Sequence, residues 1–286
     1  PPANIVAEPM GRDTAPCIGL AATIIHKKAP DSVMIVMTAD HVIEPASRFV
    51  KMAETAMNIV SKNKSLLTMG INPTEPSVSY GYIHRGKRLL EENGFNVYEV
   101  ESFKEKPDKT TAQRFINTGE YYWNGGVFVW QTAKILECLT KYTPNLSLGL
   151  QRIGAALGTE LEWTTVEKEY QAFEKISIDY AVMEKAKDVI VIEVDFTWND
   201  VGSWFAIERW NKKDNLGNTV LGMHYGMDTN SCIIVNNEQH LIATIGISDM
   251  IIVHTKDATL ICHKQKAEQI KKLVEELRLN GYQSYL

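Results

Sequence analysis

Short apolar runs alternate with amphipathic stretches over most of the chain. The runs that have the length of buried strands are residues 33–37, 66–70 and 189–194. Residues 46–62 have the apolar period of a helix, and Asp13 with Pro16 marks the start of another helix that ends near Lys28. This alternation predicts an α/β fold, with residues 33–37 as a buried parallel strand.

The pattern changes after Asn215. Apolar stretches then recur every nine residues, beginning near Cys232, Leu241, Met250 and Thr259. Short strands at this spacing predict a small all-β unit, either a coiled β-helix or a compact sandwich. A helix is predicted over residues 264–279, and we expect its apolar face to dock on the β unit or on a second copy of the chain, which leaves a homodimer open. We therefore expect two domains, residues 1–215 and residues 216–286.

The composition excludes several classes of protein. The 286 residues are 44% hydrophobic and 23% charged, which is ordinary for a globular protein. The net charge of −5 argues against a general nucleic-acid-binding protein. We find no apolar run long enough to span a membrane and no secretory signal. The four cysteines form no CxxC pair, so we expect reduced thiols in a cytoplasmic protein without a structural zinc site.

Two aspartates follow apolar runs. Asp40 comes soon after residues 33–37, and Asp200 soon after residues 189–194. Ligands of open α/β sheets bind beyond the carboxyl ends of the strands, so both side chains are expected at one rim of the sheet. Two carboxylates there suit Mg²⁺ carrying phosphates, because this ion uses one or two protein carboxylates and keeps several waters. The alternative is that each aspartate caps the turn or helix that follows its strand.

Two further segments have the chemistry of a sugar phosphate site. Glu105 can accept hydrogen bonds from adjacent sugar hydroxyls, and Lys106 can meet a phosphate. Asn124, followed by Gly125 and Gly126, combines an amide that both donates and accepts with room for close backbone approach. The alternatives are a solvated strand edge for the first segment and packing at a bend for the second.

Several segments resemble, in order, the signature blocks of mannose-1-phosphate guanylyltransferases. They are EPMGRDTAP at residues 8–16, TADHVI at 38–43, YGYI at 80–83, FKEKP at 103–107, WNGG at 123–126, SIDYAVME at 177–184 and WNDVGSW at 198–204. Each block alone is a weak signal. Together they cover nearly the whole chain, and their order makes the resemblance specific.

The resemblance implies a Rossmann-like nucleotidyltransferase mixed sheet, followed by a small left-handed β-helix-like region and a terminal helix. It also implies a GTP-binding enzyme of GDP-mannose biosynthesis. The implied reaction is Mg²⁺-dependent transfer of GMP from GTP to mannose 1-phosphate, which gives GDP-mannose and pyrophosphate.

Site residues follow from the same resemblance. Asp40 and Asp200 would hold Mg²⁺, and Lys106 would face the sugar phosphate with Arg12 as a further cation. Asp179 would either lie on the sugar side or support a sugar-binding residue from behind. The sugar loop would include Tyr80 and Gly81, with Glu105 and Asn124 binding the mannose hydroxyls. The residues expected to line the guanine come from residues 8–15: Glu8, Pro9, Arg12, Asp13, Thr14 and Ala15.

The chain departs from the family pattern at three places. The opening GGxGxRxxP loop has no counterpart, although a strand-like segment at residues 5–7 begins the chain, so we expect the first strand and the phosphate loop to be missing from it. Ser79 stands where glycine is usual. Asp13 replaces a more usual asparagine, and its carboxylate can accept from the guanine N1–H but cannot donate to O6.

Other functions remain open. The chain could be a sugar nucleotidyltransferase that uses glucose 1-phosphate with UTP or dTTP, or a metal-dependent glycosyltransferase on a similar sheet. It could also be a catalytically silent homologue that binds GDP-mannose or partners an active subunit.

Overall fold

A computed structural model describes residues 4–237 and 239–286. The chain divides into two compact units. The first unit comprises residues up to Ala39 together with Ile43–Trp198, and the second comprises Asp40–Val42 and Asn199–Leu286. The domain boundary expected at residue 215 stays a prediction. Within the described residues, no helix is both long and apolar enough to cross a lipid bilayer.

The first unit alternates strands and helices, as the apolar pattern predicts. Its central strands are β1 (Val33–Val36), β3 (Leu66–Ile71), β4 (Tyr82–Glu92), β5 (Phe95–Lys104), β6 (Tyr121–Gln131) and β7 (Val189–Val194). Its helices are α1 (Thr14–Lys28), α2 (Ala46–Asn63), α3 (Lys109–Thr118), α4 (Thr132–Tyr142), α5 (Pro144–Ala156) and α6 (Glu162–Ala172). The short strands β2 (Val42–Glu44) and β8 (Thr197–Asn199) form a separate two-stranded sheet.

Local signals in the sequence set the helix ends. The Asp13 carboxylate accepts a hydrogen bond from the Thr14 amide at the start of α1, and basic residues occupy its last turn. Asp108 accepts from the Thr111 amide at the start of α3, which ends at Gly119 in the left-handed conformation. These caps satisfy amides and carbonyls that have no partner within the helix.

The six central strands form one mixed sheet in the order β1-β6-β3-β7-β5-β4. Only β3 and β7 pair in parallel, and β6 pairs antiparallel with β1, β3 and β4. Helices α1, α4, α5 and α6 contribute to one apolar cluster with the sheet, and α2 and α3 contribute to another. The sheet is therefore the middle layer of three, which confirms the predicted α/β class with a mixed sheet.

Two expectations for strands are wrong. Residues 33–36 form a strand, but it is half-buried, lies at the sheet edge and pairs antiparallel with β6. An apolar run of this length does not reveal strand direction, because edge and central strands share it. Residues 5–7 form no strand, and Ile5 and Val6 are exposed. A strand requires a pairing partner for its backbone groups, which local sequence does not supply.

The second unit contains helix α7 (Trp204–Trp210) and a coil of short strands. The strands are β9 (Thr219–Leu221), β10 (His224–Met227), β11 (Ile233–Asn236), β12 (Ile242–Ile245), β13 (Met250–His254) and β14 (Thr259–His263). β10 pairs in parallel with β12, and β11 pairs in parallel with β9 and β13. Because β11 pairs with β13 rather than with its neighbour β12, strands β9 to β13 alternate between two sheets, and β14 then pairs antiparallel with β13. This is a β-helix-like coil, one of the two predicted forms; its left hand stays a prediction.

The end of the chain is helical, as predicted, but only in part an α-helix. A 3₁₀ segment, Lys264–Gln269, precedes α8 (Ile270–Leu279). The predicted apolar face of α8 is half-buried at Val274 and Leu277, whereas Leu273 is exposed. The docking of this face on a second copy of the chain stays a prediction.

Gly222 fixes the turn between β9 and β10. Its φ is 108°, and a Cβ there would collide with the backbone oxygen of Asn236. We expect Gly222→Ala to lower the free energy of unfolding by about 3 kcal/mol, because strain and a backbone clash add. Gly246→Ala is the matched control: its φ is 65°, but no atom lies within 4 Å of the added Cβ, so we expect a loss of only about 1 kcal/mol. Urea denaturation measures both; equal losses would contradict the clash.

Candidate functional site

Four residues predicted to bind the sugar come together in the first unit. Gly81 precedes β4, Glu105 follows β5, Asn124 lies within β6, and Asp179 begins a π-helical turn, Asp179–Met183. We call these four residues the Asn124 cluster. Strands β4 and β6 are adjacent in the sheet, and β4 also pairs with β5, so the sheet topology brings the first three residues together.

Direct contacts join the members of the Asn124 cluster. The Asn124 amide N–H donates to the Gly81 carbonyl at 2.8 Å, and the Asn124 side-chain nitrogen donates to Asp179 Oδ1 at 2.7 Å. A Cβ built on Gly81 would lie 2.5 Å from Glu105 Oε2. The missing side chain of Gly81 therefore makes room for the Glu105 carboxylate, whereas the resemblance implied a close approach of the Gly81 backbone to the sugar.

Negative charge is concentrated around this cluster. Burial raises the pKa of Asp179, and the neighbouring Glu105 and Glu184 carboxylates raise it further, while the hydrogen bond from Asn124 acts in the opposite direction. Burial, followed by the charge of Glu105, also raises the pKa of Glu184. Carboxylates are strong acceptors for hydroxyl groups, so the arrangement suits a polyhydroxylated ligand.

Lys106 supplies a cation beside the cluster. Its Nζ lies 3.3 Å from Glu105 Oε1, and its side chain is 64% exposed, so it can reach an anion in solvent. Tyr80 packs at the neighbouring position, with its ring 4.9 Å from that of Trp123 and 5.4 Å from that of Trp198. Tyr80 therefore contributes a rigid aromatic wall next to Gly81.

Asp40 and Asp200 both belong to the second unit, and the charges of both act on His41. Burial lowers the pKa of His41, and the charges of Asp40 and Asp200 both act on this imidazole in the opposite direction. Asp40 is exposed and Asp200 is half-buried. The Gly202 amide donates to Asp200 Oδ1 at 3.2 Å, which holds that carboxylate in a turn. Each aspartate thus faces solvent to some degree, and the two act on one imidazole ring.

These two carboxylates fit a hard divalent cation in their chemistry, because both offer oxygen ligands and both act on the same neighbour. Across residues 4–237 and 239–286, no three His, Cys, Asp or Glu side chains are grouped so as to hold a metal ion. A site with two protein carboxylates is what Mg²⁺ uses when phosphates and waters complete its shell.

Residues 8–15 are tied to the body of the first unit by their own side chains. Arg12 donates to the carbonyls of Tyr170 and Gln171, each at 2.9 Å. Thr14 Oγ1 accepts from the Ile178 amide at 2.8 Å. Burial raises the pKa of Cys17 to about 11, with the neighbouring Glu8 carboxylate as a smaller cause. Glu8, Arg12 and Thr14 therefore shape the loop, and the expected contacts of residues 8–15 with guanine stay predictions.

Some residues of the site escaped the sequence interpretation. Glu184 ends the SIDYAVME block and its charge acts on Asp179 of the Asn124 cluster, yet nothing in its spacing distinguishes it from a solvated glutamate. Thr68 lies in β3 and donates to Asn124 Oδ1 at 3.3 Å. A threonine in a buried strand gives no signal of its own. His41 beside Asp40 was visible in the sequence, but its approach to Asp200 depends on the fold.

Comparison with known proteins places the chain in a family. Residues 2–216 match the family described as Nucleotidyl transferase, and residues 222–277 match the MannoseP isomerase/GMP-like beta-helix domain. The chain belongs to the nucleotidyl transferase family. Enzymes of this family generally use a divalent metal ion.

Similar proteins extend this result. A mannose-1-phosphate guanylyltransferase of Escherichia coli is 37% identical over 97% of this chain, and one of Klebsiella pneumoniae is 36% identical over 99%. The chain spans 60% and 59% of the lengths of these relatives. A crystal structure described as mannose-1-phosphate geranyltransferase from Thermus thermophilus superposes with a TM-score of 0.81 at 33% identity, covering 96% of this chain and 77% of that one. The resemblance to mannose-1-phosphate guanylyltransferases is thereby confirmed.

Proposed function

We propose that the protein transfers GMP from GTP to α-D-mannose 1-phosphate and releases pyrophosphate. The observation that carries the proposal is the Asn124 cluster. It brings together the Glu105 carboxylate, the Asn124 side-chain amide and the Gly81 backbone, the kinds of group that bind sugar hydroxyls. The similarity to mannose-1-phosphate guanylyltransferases supports the same reaction. The chain spans 60% of the length of such a relative, and the proposal therefore concerns the activity of the whole protein.

The reaction is an in-line phosphoryl transfer. A phosphate oxygen of mannose 1-phosphate attacks the α-phosphorus of GTP, the bond from that phosphorus to the bridging oxygen breaks, and pyrophosphate leaves with the electron pair. No covalent enzyme intermediate is required, so the protein acts mainly by positioning the substrates and offsetting their charge. Two unit charges 4 Å apart repel by about 4 kcal/mol at an effective dielectric constant near 20, and these substrates carry several.

Each group of residues has a role in this scheme. Glu105 would accept from mannose hydroxyls, Asn124 would contact the sugar, and Lys106 would face its phosphate. Asp40 and Asp200 would hold Mg²⁺, which when bound supplies positive charge to the phosphates. Residues 8–15 would line the guanine. The cytoplasmic location and the homodimer stay predictions.

A substrate matrix tests the proposal. Pyrophosphate release is measured for the full-length protein with GTP, UTP or dTTP, each paired with mannose 1-phosphate or glucose 1-phosphate. We expect GTP with mannose 1-phosphate to give the highest kcat/KM. Faster turnover of glucose 1-phosphate with UTP or dTTP would identify a different nucleotidyltransferase. Binding of GDP-mannose without pyrophosphate release from any pair would identify a silent homologue.

A further inference from the structure

The side-chain amide of Asn124 is held at both ends. Its nitrogen donates to Asp179 Oδ1 at 2.7 Å. Its oxygen accepts from the Gly126 amide at 3.3 Å and from Thr68 Oγ1 at 3.3 Å. These three bonds join β3, β6 and the π-helical turn around a single side chain.

The chemistry of the hydrogen-bond partners determines where the oxygen and the nitrogen of the Asn124 side-chain amide lie. A backbone N–H can only donate, so Gly126 requires the oxygen of Asn124 on its side. An ionised carboxylate can only accept, so Asp179 requires the nitrogen on the opposite side. The two requirements agree, and reversing the amide would set two donors against each other and two acceptors against each other.

This orientation leaves the Asn124 side chain with one N–H available as a hydrogen-bond donor. Its oxygen already accepts two hydrogen bonds, which use both lone pairs. Its nitrogen carries two hydrogens, and within the described part of the chain only Asp179 accepts one of them. Asn124 can therefore offer a ligand a donor but no acceptor, which narrows the sequence interpretation of an amide that does both.

The neighbouring carboxylate supplies the missing acceptor. Glu105 and Asn124 lie at the same side of Gly81, where an added Cβ would be 2.5 Å from Glu105 Oε2 and 3.6 Å from Asn124 Cβ, and Glu105 Oε1 is 3.3 Å from Lys106 Nζ. A sugar hydroxyl can accept from the N–H of Asn124 through its oxygen and donate its own hydrogen to Glu105. Asn124 and Glu105 together then distinguish a hydroxyl group from other substituents. An ether oxygen can accept from Asn124 but has no hydrogen to donate to Glu105, and a deoxy position can neither accept nor donate.

Asp179 occupies an unfavourable place for a carboxylate that serves only the fold. It is half-buried, burial and the charges of Glu105 and Glu184 raise its pKa, and the hydrogen bond from Asn124 offsets part of this. Thr68 is fully buried, and its hydroxyl also lies 3.5 Å from the Val127 carbonyl. Such an arrangement is expected where a buried polar network keeps one group in a single orientation.

We propose that Asp179 and Thr68 are positioning residues that turn the Asn124 amide so that it presents only an N–H to a hydroxyl of the sugar phosphate. This inference rests on the proposed function for the identity of the ligand. It assigns Asp179 a role through Asn124, which is the supporting one of the two places that the resemblance left open for this residue.

The test exchanges the two polar groups. Asp179→Asn removes the acceptor charge that orients Asn124, and we expect it to weaken binding of mannose 1-phosphate about tenfold or more with GTP affinity changed less than twofold. The double variant Asn124→Asp with Asp179→Asn restores the hydrogen bond between the two positions, with its direction reversed. Position 124 then has no N–H to offer, so we expect binding of mannose 1-phosphate to stay weak although the melting temperature returns to that of the parent protein.

Isothermal titration calorimetry of the full-length protein separates the outcomes. Recovery of mannose 1-phosphate affinity in the double variant, or unchanged affinity in Asp179→Asn, would overturn the donor role. Thr68→Val is expected to weaken binding of mannose 1-phosphate and to leave GTP binding unchanged. Thr68→Ser, which keeps the hydroxyl, is its control. Equal affinities of the two variants for mannose 1-phosphate would contradict the positioning role of Thr68.

A second measurement separates this inference from the proposed function. If the unaltered protein binds no mannose 1-phosphate, the proposed function fails, but the side-chain amide of Asn124 still reports its own orientation by NMR. We expect its ¹H and ¹⁵N signals, assigned with Asn124→Asp, to move as pH falls through the raised pKa of Asp179 and to lose that movement in Asp179→Asn. Signals that ignore both changes would refute the positioning role without reference to the sugar.

Discussion

Asp200→Asn and Asp40→Asn should each lower kcat of the proposed GMP transfer by about a hundredfold or more. Each removes one of the two carboxylates proposed to hold Mg²⁺, and charge stabilisation by a bound metal contributes several kcal/mol to such reactions. The fold should survive, because Asp40 is exposed and the amide that replaces Asp200 can still accept from the Gly202 N–H. Steady-state kinetics and a thermal melt of each variant measure the two effects.

The control for this prediction is Asp249→Asn. Asp249 is exposed in the second unit and has a φ of 56°, which asparagine tolerates, so activity and melting temperature should be unchanged. A Mg²⁺ titration adds a direct readout, since a weakened site requires more metal for half-maximal rate. If either Asp40→Asn or Asp200→Asn keeps more than about a tenth of the activity, a deficit below roughly 1.4 kcal/mol, that residue holds no essential metal.

Apolar periodicity predicted most helices and strands of the fold but not which strands pair with each other. Residues 46–62 and 189–194 were placed within a residue of α2 and β7, because each lies against a core that its pattern reflects. The nine-residue spacing marked the strands of the β-helix-like coil, yet it could not separate a coil from a sandwich. That distinction depends on whether a strand pairs with its neighbour or with the strand after it, which is a long-range property.

The site was predictable where a motif carried its chemistry. Glu105 and Asn124 stand in short segments with unusual polar and glycine content, and the structure brings them together around Gly81. Thr68 and Glu184 could not be found, because a buried threonine and an exposed glutamate look ordinary in sequence. Their relevance comes from what they approach in space, and only the sheet order and the π-helical turn determine that.

Backbone conformation adds an independent mark beside the predicted site residues. Lys106, Val201 and Asp13 have φ values of 41°, 48° and 67°, although none of them is glycine. Val201 is the most unfavourable of these, since a β-branched residue rarely adopts this region. Each follows or precedes a proposed site residue: Glu105, Asp200 and Thr14. Strain of this kind persists where the surrounding structure holds it. Lys64 and Asp249, outside the proposed site, also have positive φ values of 53° and 56°, so the assignment of the three segments stays a prediction.

Glu105→Gln should raise KM for mannose 1-phosphate about tenfold to a hundredfold and leave KM for GTP nearly unchanged. A hydrogen bond to a charged group contributes about 1.5–3 kcal/mol, and glutamine keeps the shape of the side chain but loses its charge. Gly81→Ala tests the same carboxylate without altering it, because the added Cβ would lie 2.5 Å from Glu105 Oε2 and displace it. Glu99→Gln, on strand β5, which precedes Glu105, lies outside the cluster; it is the control and should behave as the parent protein. Equal losses for both substrates in Glu105→Gln would exclude Glu105 from the sugar pocket, and a silent Gly81→Ala would mean that the position of this carboxylate does not limit binding.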